Sequence, residues 1–541
     1  MPAGAFASGN VRGVSPPRWA LAAGLLVLVG LVWSPVLGHR LVWDDVGLLQ
    51  RKASVQALDW AGMATSALWA DVSGAGTMTP FFRPLTVLSF GVDQALSSMN
   101  PQVVHLQSLL WHLVNTALVM WTCRRWGLGA VALGGVLVGV HPVVVEPVAF
   151  AAARNDGMAT AFCLLAIEAS AHARWLSLAV AVALAGFSKE AALVMPAVVA
   201  LQHRGAGPAV LPATLAASAG VLIVLGARAA CGVGWPGAPS PDPVQGIMAL
   251  ATLWSWLAWP MTATATFNVL SPIAPVPWTL GLAVAVGGAV WLLRSAEAER
   301  WRVGAALLML ATCVPAVMQT GRIAARYDYL PWLLLAPAVV EAVSGRLSAA
   351  RLGVAAGFLA LLGIWGVALR LPEWKNEQTL FSASVARTPD AQSWLMLGEA
   401  TQRAGDRHAA FAAYASAIAY DTGPDVACVA AARTAWSGTA AEARAQAVWL
   451  GQTAVACRSV VGADDQLLYS AAARGEWEVV RKLLPEQTVS DGTGRSQSVR
   501  GAVRLADGDW QALSLAAMRN PAGAGPYIDA AYGVALARPT R

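Results

Sequence analysis

Long apolar runs separated by short polar turns fill the first two thirds of the chain, and the pattern changes near Glu373. Apolar stretches lie at 19–38, 103–122, 129–146, 157–172, 175–188, 190–202, 209–228, 278–294, 303–320, 329–344 and 352–370. A crossing needs about 20 apolar residues, fewer if the helix is partly shielded, and these stretches predict about eleven transmembrane helices. The stretch Ile247–Ala263 is also apolar, but Trp254, Trp256 and Trp259 crowd one end before Pro260. Indole rings prefer the membrane interface, so this stretch reads as a re-entrant or surface helix.

Beyond Glu373, Ala-rich amphipathic helices alternate with turns such as Ala404-Gly405-Asp406, Arg474-Gly475-Glu476 and Asp507-Gly508-Asp509. In Gln392–Asp421, the residues Trp394, Leu397, Gly398, Ala410, Tyr414 and Ala417 fall at the consensus offsets of a tetratricopeptide repeat (TPR). Thr401 stands where an aromatic is usual and Thr422 where a proline is usual. One good repeat followed by degenerate ones predicts a C-terminal α-solenoid, as would a plain stack of helical hairpins. The expected fold class is therefore all-α, a polytopic membrane bundle with a TPR-like C-terminal solenoid. The expected divisions are a cytoplasmic tail at 1–18, a transmembrane domain at 19–372 and a repeat domain at 373–541.

Composition supports the membrane assignment. The chain has 541 residues, 57% hydrophobic and 13% charged, against roughly a quarter charged in soluble proteins. Mean hydropathy is +0.54. The net charge of +6 comes from scattered residues, which excludes a nucleic-acid patch. Arg12 and Arg18 precede Trp19–Gly38 with no small-residue cleavage pattern after it, as in a signal anchor.

With the N-terminus in the cytoplasm, the inner turns carry Arg124 and Arg125, Arg174, Arg204, then Arg294, Arg300 and Arg302, and finally Arg346 and Arg351. This fits the positive-inside rule, and counting Ile247–Ala263 as a crossing would place Arg294 and Arg302 outside. The outer face then receives the loop 39–102, the turns His141–Asp156 and Ser188-Lys189-Glu190, the loop Ala229–Gln245, the turn Gly321–Leu330 and the repeat domain. Cys428 and Cys457 share that domain and can pair if it faces an oxidising compartment. No Cys/His spacing indicates structural zinc.

Candidate chemistry gathers on the same outer face. Asp44 and Asp45 follow Trp43 at the start of the first loop. Adjacent carboxylates at a membrane surface are costly, and such a pair can act as general base or ligate a metal. Arg83 closes that loop, and arginine suits phosphate. The turn after Pro142 concentrates His141, Glu146, Arg154 and Asp156, with Arg154 the nearest partner of Glu146 in sequence. Lys189 stands between two short spans, and Arg322, Arg326 and Tyr327 add donors at another turn. Basic residues on an outer face fit an anionic lipid phosphate, or headgroup snorkelling if each is taken singly. No Walker loop, Rossmann fingerprint, GxSxG elbow or HExxH motif occurs.

An ordered set of motifs carries a family resemblance: LVWDD at 41–45, FRPLTVLSF at 82–90, HLQSLLWHLVNTALV at 105–119, HPVVVEPVAF at 141–150, ARNDG at 153–157, FSKEAALVMP at 187–196 and RYDYLP at 326–331. The chain resembles the C-type (GT-C) membrane glycosyltransferases, and within them the transmembrane-and-tetratricopeptide-repeat O-mannosyltransferases and their bacterial relatives. That resemblance implies sugar transfer from a polyprenyl-phosphate donor to an acceptor hydroxyl on the periplasmic or luminal side. It places the base at Asp44 or Asp45, with a slight preference for Asp45. It implies a substrate or acceptor pocket from Trp43, His141, Glu146, Arg154 and Asp156, and lipid-phosphate binding by Arg83, Lys189, Arg322, Arg326 and Tyr327. It further implies no metal and no cofactor beyond the lipid-linked sugar, with membrane lipids and a protein or glycan acceptor as partners. The donor sugar is mannose only by analogy. The rival readings are a catalytically silent scaffold for envelope assembly and a lipid-linked saccharide transporter. Charge concentrated on one side disfavours the transporter, which needs polar groups through the membrane core.

Overall fold

The computed structural model describes residues 18–72 and 81–420, apart from 206, 236–242, 259, 265–266, 269–277, 296–297, 316 and 318–321, together with 488–490 and 496–498. Met1–Leu380 and Phe381–Arg541 are two compact units.

The first unit is a helix bundle. Among the described residues, four helices are long and apolar enough to cross a membrane: Trp19–Gly38, Pro101–Trp126, Gly207–Ala230 and Ala349–Lys375. A fifth candidate, Leu128–Gly139 with Pro142–Ala149, is bent by 43°. Trp175–Ser188, Glu190–Gln202, Val244–Leu257 and Trp301–Ala311 are apolar but shorter. Length and composition thus mark four or five spans where the sequence predicts about eleven. Part of the difference has a physical basis. The helices Arg154–Ala171 and Tyr329–Ser344 are almost wholly buried among other helices, so neither needs an uninterrupted apolar surface. The first of them carries Arg154, Asp156 and Glu168.

The helix Pro101–Cys123 is the hub, packing on Arg18–Trp33, Leu128–Gly139, Arg154–Ala171 and Tyr329–Ser344. A polar knot joins these five helices. Leu128–Gly139 stops before Pro142, and Val143 N–H, which would have continued the helix, donates instead to His141 Nδ1 at 3.3 Å. The Gly139 carbonyl accepts from Trp33 Nε1 at 2.7 Å and is 3.1 Å from His112 Nε2. His112 Nδ1 lies 3.0 Å from the Tyr329 hydroxyl. Asn115 Nδ2 donates to that hydroxyl at 3.2 Å and to the Gly157 carbonyl at 2.8 Å. Broken helices survive in a bilayer only where protein groups satisfy the freed backbone, as they do here. On the far side, a Cβ at Gly363 would come within 2.6 Å of the Val140 carbonyl oxygen. The helix Ala349–Arg370 can therefore approach the break closely because it presents glycine there.

The described part of the loop 39–102 is folded. Its buried Lys52 pairs with Asp71 and donates to the Ala70 carbonyl at 2.6 Å, while Asp71 Oδ2 accepts from Ser54 N at 2.6 Å. The amphipathic helix Pro84–Ser97 closes the loop. At the end expected to face the cytoplasm, Arg302 is only 2% exposed and pairs with Glu299, which also binds Arg125 at 2.8 Å. These arginines thus also make structural ion pairs. In the stretch 247–263, Trp254 and Trp256 are buried against the protein on the helix Pro243–Ala258. Trp259 falls outside the described residues.

In the second unit, Ala391–Arg403 and Arg407–Tyr420 form an antiparallel helical hairpin. Asp390 caps the first helix by accepting from Ser393 N at 2.7 Å, and Gly405 turns the chain at φ +88°. Gly398 packs against the Tyr414 ring, where a Cβ would clash at 2.3 Å. Thr422, Cys428, Cys457 and the later expected repeats lie outside the described residues; Thr488–Ser490 and Ser496–Ser498, which are described, pair as short antiparallel strands.

The knot makes a stability prediction. His112→Leu removes one donor from Gly139 and one partner from Tyr329, and each unsatisfied buried group costs about 1–3 kcal/mol. Thermal unfolding in detergent is expected to shift down by several degrees, and an unchanged midpoint would show that the knot contributes nothing.

Candidate functional site

The first loop begins with a strained turn. Trp43 adopts φ +53°, a left-handed conformation unfavourable for a bulky residue. Its neighbours hold it there. Trp43 N donates to Glu377 at 3.1 Å, and the indole stacks on Phe150 with ring centroids 5.5 Å apart. Phe150 in turn packs on Trp374 at 5.4 Å. Arg40 N donates to the Lys375 carbonyl at 3.0 Å, so the segment after the last long helix braces the start of the loop.

This turn separates the two aspartates. Asp45 is fully buried, its Oδ2 accepting from Val42 N at 3.1 Å and its Oδ1 from Ala152 N at 2.6 Å. Asp44 is only partly buried and has no hydrogen-bond partner among the described residues. Desolvation raises the Asp44 carboxyl to about 6, opposed by the charge of Arg326. Desolvation raises Asp45 to about 7, opposed by its backbone hydrogen bonds and reinforced by Asp44. Asp45 is thus tied to the backbone, while the Asp44 oxygens accept no hydrogen bond among the described residues.

Arg326 sits above this turn. Its guanidinium carbon is 5.7 Å from the ring centroids of both Trp43 and Phe150 and 5.4 Å from that of Tyr327. It pairs with Glu146, which also accepts from Arg326 N at 3.0 Å. The bend at Pro142 delivers Glu146 here. Glu146 therefore meets Arg326 rather than Arg154, its nearest basic neighbour in sequence. Arg154 is buried in a separate network, bound to Asp93 at 2.6 Å and to the Val104 carbonyl at 2.8 Å. It lines neither the cleft beside Tyr327 nor the groove at His141.

Beside Tyr327 lies a cleft of about 110 Å³ whose polar lining is Arg83, Asp156, Lys189, Glu190, Thr312 and Tyr327, with the Phe81 ring beside them. Ala159, Met309, Leu330 and Pro331 contribute apolar wall. Lys189 pairs with Asp156 and lies 5.3 Å from the Tyr327 ring centroid. Arg83 Nε binds Glu190 at 2.7 Å, and the other Glu190 oxygen caps Phe82 N at 3.0 Å. Burial lowers the Lys189 ammonium, and Asp156 opposes that shift.

The expected residues thus divide. Trp43, Asp44, Asp45, Glu146, Asp156, Arg83, Lys189, Arg326 and Tyr327 form one connected cluster. His141 instead stacks on Trp332 at 4.5 Å and lines a separate apolar groove with Pro260, Met261 and Gly363. Arg322 lies on a two-residue strand paired with Phe267–Asn268. Sequence reading missed Glu190, Phe150, Trp374 and Asp328. Phe150, Glu190 and Asp328 lie inside the motifs that carry the resemblance. Asp328 is fully buried without a hydrogen-bond partner, and desolvation, then the charge of Glu146, raises its carboxyl well above the usual range. Among the described residues, no group of three or more His, Cys, Asp or Glu side chains could hold a metal ion.

No protein-family profile and no solved structure matches the chain, but curated proteins do. Protein O-mannosyl-transferase TMTC1 of Homo sapiens is 31% identical over 142 residues, covering 25% of this chain and 16% of that protein. The protein of the same name from Mus musculus is 32% identical over 161 residues, covering 28% and 17%. Protein O-mannosyl-transferase TMTC3 of Homo sapiens is 25% identical over 127 residues, covering 23% and 14%. The match spans about a sixth of the length of these relatives. The chain is thus homologous, at low identity and over part of its length, to the TMTC protein O-mannosyl-transferases.

Proposed function

We propose that this chain is an integral membrane glycosyltransferase. It moves a sugar, mannose by analogy with the named relatives, from a polyprenyl-phosphate donor to an acceptor hydroxyl on a protein, at the outer face of the membrane. The observation that carries the reading is the contrast within the aspartate pair: Asp45 is fixed by two backbone N–H groups, while Asp44 is free beside Arg326.

In this reading Asp44 takes the proton from the acceptor hydroxyl. The acceptor oxygen bonds the anomeric carbon as the bond from that carbon to the phosphate oxygen breaks, and the lipid phosphate leaves with the electron pair. Arg326 is the cation best placed for that phosphate. Glu146 engages only its Nη1 and backbone N, and the other guanidinium N–H groups have no hydrogen-bond partner among the described residues. Fixed donors aimed at developing charge are a large term in catalysis. Glu146 orients Arg326, and Asp45 holds the turn that aims Asp44. The helical hairpin of the second unit is a candidate to guide a protein acceptor.

Asp44→Asn is expected to lower transfer by about 10²–10⁴-fold, the usual range for a lost general base, with an unchanged melting temperature. Asp45→Asn is expected to lower activity and stability together. A scaffold would keep its cellular role in the Asp44 variant. Because the base form of the pair exists above its apparent pKa values of about 6 and about 7, kcat/KM should fall as pH drops through that interval. A profile flat from pH 5 to 8 would exclude this pair as the base. Arg154→Ala should act through folding, since breaking a buried pair costs about 3–5 kcal/mol, with activity falling in proportion to the folded fraction.

A further inference from the structure

The cleft beside Tyr327 holds two cations, Arg83 and Lys189, that the sequence alone would assign to phosphate. Its electrostatics favour something else. Each cation is already neutralised by a carboxylate on the same wall, Arg83 by Glu190 at 2.7 Å and Lys189 by Asp156. Formal charges on the side chains that line the cleft therefore sum to zero. A phosphate entering it would have to break at least one of these pairs and expose a carboxylate to like charge. A neutral polyol would not, because its hydroxyls donate to a carboxylate oxygen and accept from an ammonium or guanidinium while both pairs persist.

One atom points to such a ligand. Asp156 is only 4% exposed and lines the cleft; its Oδ1 is held by Lys189, but its Oδ2 is buried with no hydrogen-bond partner. An orphaned carboxylate oxygen costs free energy unless a donor reaches it, and a ligand hydroxyl is such a donor. Tyr327 and Phe81 add ring surface of the kind that covers the C–H face of a sugar. The Tyr327 ring lies between the two regions, 5.3 Å from Lys189 Nζ and 5.4 Å from the Arg326 guanidinium carbon.

Building on the glycosyltransferase reading, we infer that the cleft between Asp156–Lys189 and Arg83–Glu190 is the glycosyl subsite. It selects a neutral hexose through Asp156 Oδ2 and leaves the donor phosphate to Arg326. An anionic sugar such as a uronosyl group would meet Asp156 and Glu190 unfavourably and is rejected.

The test uses the purified full chain in detergent and measures binding of polyprenyl-phosphate hexose, polyprenyl-phosphate uronic acid and sugar-free polyprenyl phosphate by intrinsic tryptophan fluorescence. Two variants are compared with the unaltered chain. Asp156→Asn removes the carboxylate, and Ala159→Leu fills the cleft while leaving both ion pairs intact should the first variant fold poorly. The expected result is an affinity for the hexosyl lipid about tenfold or more weaker in the variants, as for a lost hydrogen bond to a charged group. Affinity for the sugar-free lipid should stay within about twofold, and the uronosyl lipid should bind the unaltered chain more weakly than the hexosyl lipid. Parallel weakening for sugar-bearing and sugar-free lipids would place phosphate in the cleft and overturn the inference, as would no weakening for either. A transfer assay on the same preparations separates the two claims. Absence of transfer by the unaltered chain, with discriminating binding intact, would refute the enzymatic reading and leave the sugar subsite standing.

Discussion

The architecture of the site depends on one break in one helix. Pro142 stops the helix that ends at Gly139, and the chain bends by 43° before continuing as Pro142–Ala149. A freed carbonyl inside a bilayer is costly, and this one is tolerated because Trp33 and His112 both reach Gly139. Those two donors come from separate helices, and His112 is tied through Tyr329 and Asn115 to two more. The break turns Glu146 toward Arg326 and brings Ala152 under Asp45. Without the knot, there would be no fixed geometry for either carboxylate.

Charge compensation then shapes the surroundings. Arg154 with Asp93, Lys189 with Asp156, Arg83 with Glu190 and Arg326 with Glu146 bind the loop 39–102 to the helix ends beneath it or tie neighbouring turns to one another. Buried pairs give little net stability but strongly penalise disorder, because each partner left alone is expensive. Against that neutralised background, Asp44 is a partly exposed carboxylate on a strained turn, with no hydrogen-bond partner among the described residues; Asp328, also unpartnered, is fully buried.

Much of this was legible in the sequence. The membrane class followed from the apolar runs, and Asp44, Glu146, Lys189 and Arg326 were recognisable because charge beside an apolar run is costly. Pairing was not legible. Arg154 is eight positions from Glu146, yet helix geometry turns it toward Asp93, while Glu146 finds a partner 180 positions away. His141 looked like a site residue by proximity, but a single bend puts its ring on Trp332. The number of crossings was obscured for a related reason: a helix shielded by protein carries charges such as Arg154 and Asp156 without being lipid-facing, so hydropathy no longer measures what surrounds it.

The account's central claim is catalytic transfer by a site centred on Asp44 and Arg326. The most direct measurement is incubation of the purified full chain with labelled polyprenyl-phosphate mannose and a serine- and threonine-containing acceptor polypeptide, followed by intact-mass analysis. The account predicts a mass increase of one hexose on the acceptor and release of polyprenyl phosphate in equal amount. A folded protein that leaves both donor and acceptor unchanged across a panel of polyprenyl-phosphate sugars and acceptors would contradict it.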